Sequence, residues 1–269
     1  MMPPPVPLDA LRAVLEGAGR IIGRHYDAPG ASTRKGDGSP LTAADTEANQ
    51  FLRERLLSLL PAAGWLSEES RDDSARLGCE WVWVVDPLDG TKEFVRRIPE
   101  LAISIGLAHR GQAVLGGVFN PVSGEGGVGV VGGEWHCWGF ANTAPAKAEC
   151  LAQASAGVSR TEVEDGSIVP WLGLVREPRE IGSVAYKLLR VAARQEDLTF
   201  TVQPKSEWDI CGGVALLRAA GLCYLRFDGQ PGVFNQPRPR IACGAVAGPR
   251  ALADELLRRV TGAAEAQPA

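Results

Sequence analysis

The sequence predicts a mixed α/β fold in which an antiparallel meander of strands is flanked by helices. Three observations predict it. Apolar residues recur at helical spacing in two N-terminal segments, Leu8 to Ile22 and Ala48 to Leu60. Strand-like runs follow at Trp81 to Val85, Leu101 to Ala108 and Ala113 to Phe119, the last two joined as a hairpin by Arg110-Gly111-Gln112. Small and polar residues then fill Ala141 to Gln153, and strand and helix patterns alternate beyond them. We therefore expect an N-terminal α+β subdomain over 1–145 and a C-terminal α/β subdomain over 146–269.

The stripe Leu11, Val14, Leu15, Ala18, Ile21 and Ile22 is the core face of a first helix. Asp27 to Ser32, with Pro29 and Gly30, is a loop. Thr42 is an N-cap and Asp45, three residues on, the acidic arm of a capping box for a helix that runs to Pro61. Gly64 to Ser67 is a short strand leading into Glu68-Glu69, and the polar stretch from Ser70 to Gly78 is expected as a mobile loop over the site. Trp81 to Val85 is a strand that ends on Asp86, where Pro87 fixes one backbone angle and removes a donor. Lys92 to Val95 opens a short helix, and Gly126 to Trp138 suggests further strands.

In the second half, Ala154 to Ser159 and Leu198 to Val202 read as strands, and Ser167 to Leu174 as a helix despite Pro170. Ile181 to Lys187 leads into an apolar helix over Leu188 to Ala193. Asp209 stands at or near the N-cap of a helix closed by Gly221, and its small residues imply tight packing. Leu252 to Val260 is a surface helix, with a frayed tail from Thr261.

Composition excludes several functions. The chain has 269 residues, 45% hydrophobic and 22% charged, which places it among ordinary globular proteins with real cores. Net charge is −4 and Lys and Arg form no run, so a polymeric nucleic acid is not expected as a partner. No stretch is long and apolar enough for a membrane span, and the start, Met1 to Pro7, lacks the pattern of a secretory signal. Six scattered cysteines form no Cys-x-x-Cys pair, which argues against a zinc site or disulfide framework and for a reducing, cytoplasmic setting. The three histidines form no metal-ligand pattern.

The chemistry gathers at Asp86-Pro87-Leu88-Asp89-Gly90-Thr91. Two carboxylates, the Leu88 carbonyl and a helix start converge there. Hard divalent cations take oxygen ligands of this kind, and phosphate suits a helix N-terminus. Gly90 lets the backbone approach a ligand and Thr91 adds a hydroxyl. Each acid also has a plainer reading: Asp89 as a turn or helix cap, Asp45 as a charge on the helix dipole, Asp209 as an N-cap, and Glu68 as solvated surface.

Four separated strings together resemble the inositol monophosphatase superfamily of metal-dependent, lithium-sensitive phosphatases: Lys35 to Asp45, Leu66 to Glu69, Val85 to Phe94 and Trp208 to Gly221. The resemblance implies a layered αβαβα sandwich of the inositol monophosphatase and sugar phosphatase type, with the site between two subdomains. By residue matching, Glu68, Asp86 and the Leu88 carbonyl would hold a first Mg²⁺, and Asp86, Asp89 and Asp209 a second. A third, looser ion would lean on Glu68, and Mn²⁺ is a possible substitute. Asp45 and Thr91 would activate the attacking water, and the Gly90 and Thr91 amides would cradle phosphate. The chemistry of the residue types agrees, because four carboxylates this close are mutually repulsive unless cations lie between them.

Within that superfamily Lys92-Glu93-Phe94 is similar to the bisphosphate nucleotidase branch, as are Lys35-x-Asp37-x-Ser39-Pro40 and Lys187 in Ser183-Val184-Ala185-Tyr186-Lys187. Ser183 and Lys187 are therefore the expected substrate contacts, Lys187 for a second phosphate. Two departures bear on base recognition: Ser159-Arg160-Thr161-Glu162 only partly matches that branch, and Cys211 stands where a smaller or different polar residue is usual. The expected reaction is hydrolysis of the 3′-phosphate of adenosine 3′,5′-bisphosphate to AMP. The alternatives are an inositol monophosphatase or broad sugar phosphatase, and a catalytically silent nucleotide- or metal-binding protein. The expected partner is a small phosphorylated substrate, and the expected assembly a monomer or homodimer.

Overall fold

The computed structural model describes residues 6–28, 33–34, 40–141 and 148–265. In chain order, α1 (Leu8–Asp27) is followed by the two-residue strands β1 (Thr33–Arg34) and β2 (Pro40–Leu41), then α2 (Ala43–Leu59). Next come β3 (Gly64–Ser67), β4 (Trp81–Asp89), α3 (Thr91–Arg96), β5 (Ala102–His109), β6 (Gln112–Phe119), β7 (Gly126–Val130) and β8 (Trp135–Trp138). The second half holds β9 (Ser155–Ser159), α4 (Arg160–Glu164), α5 (Val169–Leu172), β10 (Glu177–Ile181), α6 (Val184–Ala192) and β11 (Leu198–Thr201). It closes with β12 (Lys205–Ser206), α7 (Glu207–Ala219), β13 (Cys223–Arg226), β14 (Arg240–Ile241), β15 (Ala245–Gly248) and α8 (Arg250–Glu265).

These elements form five layers. A six-stranded sheet runs β3-β4-β5-β6-β7-β8, and a five-stranded sheet runs β10-β9-β11-β15-β13. In the first sheet only β3 is parallel to its neighbour; the rest is the expected antiparallel meander. Helices α1 and α2 cover one face, where Leu11, Leu15, Ile22, Leu52 and Leu56 are fully buried against Trp83, Ile103 and Leu115. Each such side chain stabilises the fold by about 1.5–3 kcal/mol relative to exposure. Helices α6 and α7 fill the space between the sheets, and α8 closes the outer face of the second. The layered sandwich expected from the resemblance is thus the observed architecture.

Tight packing places α7. A Cβ at Gly106 of β5 would collide with the Cys211 sulfur, so the buried cysteine fills the room that glycine leaves. Gly212 comes equally close to the Ile105 carbonyl, where a side-chain carbon would lie 2.7 Å from its oxygen. The small residues of α7 therefore let its backbone settle onto the sheet that carries Asp86.

Several expectations need correction. The stretch 70–78 is not simply a loose loop: it holds a 3₁₀ turn at Ser74–Gly78, and Arg76 is buried. The Arg76 guanidinium donates to Asp72 at 2.6 Å, Asn235 at 2.7 Å and the Gln236 carbonyl at 3.0 Å, which ties the segment to the C-terminal half. Helix α6 begins at Val184, because Ser183 accepts from the Tyr186 amide at 3.0 Å and caps it. Residues 167–174 hold only the single turn α5. Helix α8 continues to Glu265, and its inner face, with Leu252, Ala253, Leu256 and Val260, is core.

Strands β10, β13 and β15 escaped the sequence reading. β10 is a sheet edge with four exposed residues, where Pro178 costs no ladder bond. The proposed boundary at 145 lies outside the described residues, as do Lys35 to Ser39, most of the 27–32 loop and the last four residues.

Candidate metal and phosphate site

Strand pairing builds the first half of the site. β3 and β4 run parallel with Ser67 opposite Val85, and the Glu68 amide donates to the Val85 carbonyl at 3.3 Å. The next residue on each strand is an acid, so Glu68 and Asp86 leave the sheet side by side. Between Asp86 and Asp89 the register against β5 shifts, and the Leu88 amide turns back to Asp86 Oδ1 at 2.9 Å. Gly90 then caps α3 with φ 96°. A side chain there would be strained, and its Cβ would lie 3.0 Å from the Glu100 carbonyl oxygen.

Two capping boxes supply the remaining acids. Thr42 and Asp45 open α2, and Ser206 and Asp209 open α7. Asp45 Oδ2 accepts from the Thr42 amide at 2.8 Å and the Thr42 hydroxyl at 2.6 Å. Its Oδ1 accepts from the Thr91 hydroxyl at 3.2 Å, although the Leu88 carbonyl, at 3.1 Å, competes for that single proton. Asp209 Oδ2 accepts from the Ser206 amide at 2.9 Å. Asp209, expected at or near the N-cap, is the third residue of its helix, and Ser206 is the cap.

Glu68, Asp86 and Asp209 each offer a carboxylate oxygen within 4.8 Å of the others, the one such acidic group among the described residues. Asp86 is 1% exposed. Burial, then the charges of Glu68, Asp89 and Asp209, hold its pKa well above the usual carboxylate range. Burial, then Asp89 and Glu68, does the same to Asp209. Without a cation this cluster opposes folding. Its available ligand atoms are all carboxylate oxygens, which suits a hard divalent ion such as Mg²⁺.

Asp89 stands beside that trio. Its Oδ2 accepts from the Ser183 hydroxyl and the Ala185 amide, both at 2.7 Å. Ser183, expected at the substrate, is thus committed to Asp89. Lys187, expected at a second phosphate, is buried at 3% exposure and spends its ammonium on the carbonyls of residues 181–183.

A cleft of about 560 Å³ opens over Glu68, Asp86, Asp89 and Asp209 and runs past Arg160, Gln203 and Lys205. Its outer wall was missed by sequence reasoning. Arg160 pairs with Glu100 at 2.7 Å, and Lys205 pairs with the buried Glu162 at 2.8 Å. Glu162 also accepts from the Thr201 hydroxyl and the Val202 amide. Only the Ser159-to-Glu162 departure flagged that wall. Glu93 lines the cleft too, and its burial raises its pKa.

The model of the inositol monophosphatase family matches residues 7–264. The 3′(2′),5′-bisphosphate nucleotidase CysQ of Salmonella typhimurium is 34% identical over 229 residues, covering 80% of this chain and 88% of the relative. The inositol-1-monophosphatase of Bacillus subtilis is 27% identical over 231 residues, covering 84% and 86%. In fold, the chain superposes on an IMPase of Thermotoga maritima with a TM-score of 0.78 at 21% identity, covering 96% and 98%. The chain belongs to the inositol monophosphatase family, a family of metal-dependent phosphatases. Among the described residues no helix is long and apolar enough to cross a membrane.

Proposed function

We propose that this chain hydrolyses the 3′-phosphate of adenosine 3′,5′-bisphosphate to AMP and phosphate. The observation that carries the reaction class is the convergence of Glu68, Asp86 and Asp209 beside the Thr91–Asp45 hydrogen bond. Glu68, Asp86, Asp209, Asp89 and the Leu88 carbonyl would hold two to three Mg²⁺ ions, Mn²⁺ serving as a substitute. When bound, the cations supply positive charge that lowers the pKa of an attacking water and offsets the charge on the phosphoryl and leaving oxygens.

The remaining steps belong to the chain. Thr91 is too weak a base alone, so it passes its own proton to Asp45 Oδ1 as it takes one from water. Thr42 fixes Asp45 Oδ2, which leaves Oδ1 for that transfer. The Gly90 and Thr91 amides orient the phosphate. Water attacks in line, with no covalent phosphoenzyme.

The nucleotide is favoured by Lys92-Glu93-Phe94, while relatives of both branches are similar at 27% to 34% identity. The cleft also continues beyond the acids, past Arg160, Gln203 and Lys205. With Lys187 committed to backbone, the other cleft cations are the exposed Lys92 and the ion-paired Arg160 and Lys205. That commitment also favours a second reading, an inositol monophosphatase, which needs no contact to a second phosphate.

Phosphate release with Mg²⁺ from equal concentrations of adenosine 3′,5′-bisphosphate, inositol 1-phosphate and fructose 1,6-bisphosphate separates the two. The expected result is a kcat/KM at least about tenfold higher for the nucleotide, some 1.4 kcal/mol of selectivity. A preference for inositol 1-phosphate would leave the metal chemistry standing and overturn the substrate.

A further inference from the structure

Lys187 is a buried cation that the proposed chemistry does not use. An ammonium has three N–H donors, and three consecutive carbonyls take them: Ile181 at 2.9 Å, Gly182 at 3.3 Å and Ser183 at 2.9 Å. No donor remains for a substrate phosphate. Burial pushes the Lys187 pKa down to about 8.

The three carbonyls that converge on this nitrogen lie on one turn. Ser183 takes φ 48°, a region that costs a non-glycine residue on the order of 1–3 kcal/mol. Other groups hold the same turn. The Gly182 amide donates to Glu100 Oε2 at 2.8 Å, and a Cβ at Gly182 would run into Glu93. The strained geometry brings the Ser183 hydroxyl and the Ala185 amide onto one oxygen of Asp89, across 94 residues of chain for the serine. Both donors choose Oδ2.

We propose that Lys187 is a positioning residue for the metal site: it clamps the 181–183 turn so that Ser183 and the Ala185 amide hold Asp89 Oδ2 and fix Oδ1 for a divalent cation. The proposal rests on the metal-site reading above. It differs from a direct phosphate contact, which would act on substrate alone, and from a purely structural lysine, which would act on stability alone.

The test is Mn²⁺ binding followed by electron paramagnetic resonance in the wild type, Lys187→Met, Lys187→Gln and Ser183→Ala, with kcat and KM measured on a bisphosphate and a monophosphate. Lys187→Met should weaken Mn²⁺ binding by roughly ten- to hundredfold, the usual cost of removing a group that orients a ligand. Lys187→Gln, which keeps two of the three donors, should fall between it and the wild type. Ser183→Ala should weaken Mn²⁺ binding in the same direction even if Lys187→Met fails to fold. The kcat should fall alike for both substrates, with KM little changed.

Wild-type Mn²⁺ affinity in the folded variants, or a KM rise confined to the bisphosphate, would overturn the proposal while sparing the metal site. A wild-type protein that binds no Mn²⁺ would overturn both.

Discussion

The two capping boxes are the same local device in different surroundings. Thr42–Asp45 and Ser206–Asp209 each place an aspartate at the third position of a helix, with Oδ2 returned to the cap amide. What differs is the neighbour of the carboxylate. Asp45 meets a neutral hydroxyl, Thr91, and can take a proton. Asp209 meets Glu68 and Asp86 and raises a charge problem that a cation would solve. The comparison teaches that the capping and functional readings of an acid are not exclusive, because one carboxylate has two oxygens.

The largest effect that could break this comparison is loss of catalysis. Asp209→Asn should lower kcat about a thousandfold or more, since charge stabilisation by metal is worth several kcal/mol. Asp45→Asn and Thr91→Ala should each cost roughly 10²–10⁴ in kcat, the range of acid–base help. Steady-state phosphate release checks all three, and near-normal turnover in any one removes that residue from the mechanism.

Stability sharpens the contrast. In metal-free buffer Asp209→Asn should raise stability by on the order of 1 kcal/mol, a few degrees in Tm, by relieving like-charge repulsion. Asp45→Asn relieves no such cluster and should bring no gain. Thermal melts with chelator, then with Mg²⁺, read both. An Asp209→Asn protein less stable than wild type without metal would show that the cluster is already balanced by other groups.

The smallest effect concerns the caps. Thr42→Ala and Ser206→Ala should each cost about 1 kcal/mol of stability by denaturant titration. Thr42→Ala should also lower kcat a few-fold by freeing Asp45, an effect that a simple cap would not produce.

Much of this site was legible because its acids lie in contiguous strings. Glu68 and Asp86 each follow a short strand, and parallel pairing sets them side by side. Asp45 and Asp209 carry capping-box spacing, so their helix starts could be placed within a residue or two. The inward turn of Lys187 was not legible. Its ammonium is held by backbone carbonyls, which every residue possesses, so side-chain identity gives no sign of it. The Ser183–Asp89 bond joins distant segments, and only tertiary packing reveals it. Edge strand β10 hid behind charged residues and a proline, since an edge strand buries little. Strands β13 and β15 flank the Gly- and Pro-rich run from Phe227 to Pro239, which obscured their pairing.

In the proposed mechanism two aspartates with the same capping geometry divide metal binding and proton transfer between them. The most direct measurement is a Mn²⁺ titration of the wild type, Asp45→Asn and Asp209→Asn side by side. We predict near-wild-type binding by Asp45→Asn and the loss of at least one site in Asp209→Asn. Equal binding by both variants, or a greater loss in Asp45→Asn, would contradict the division.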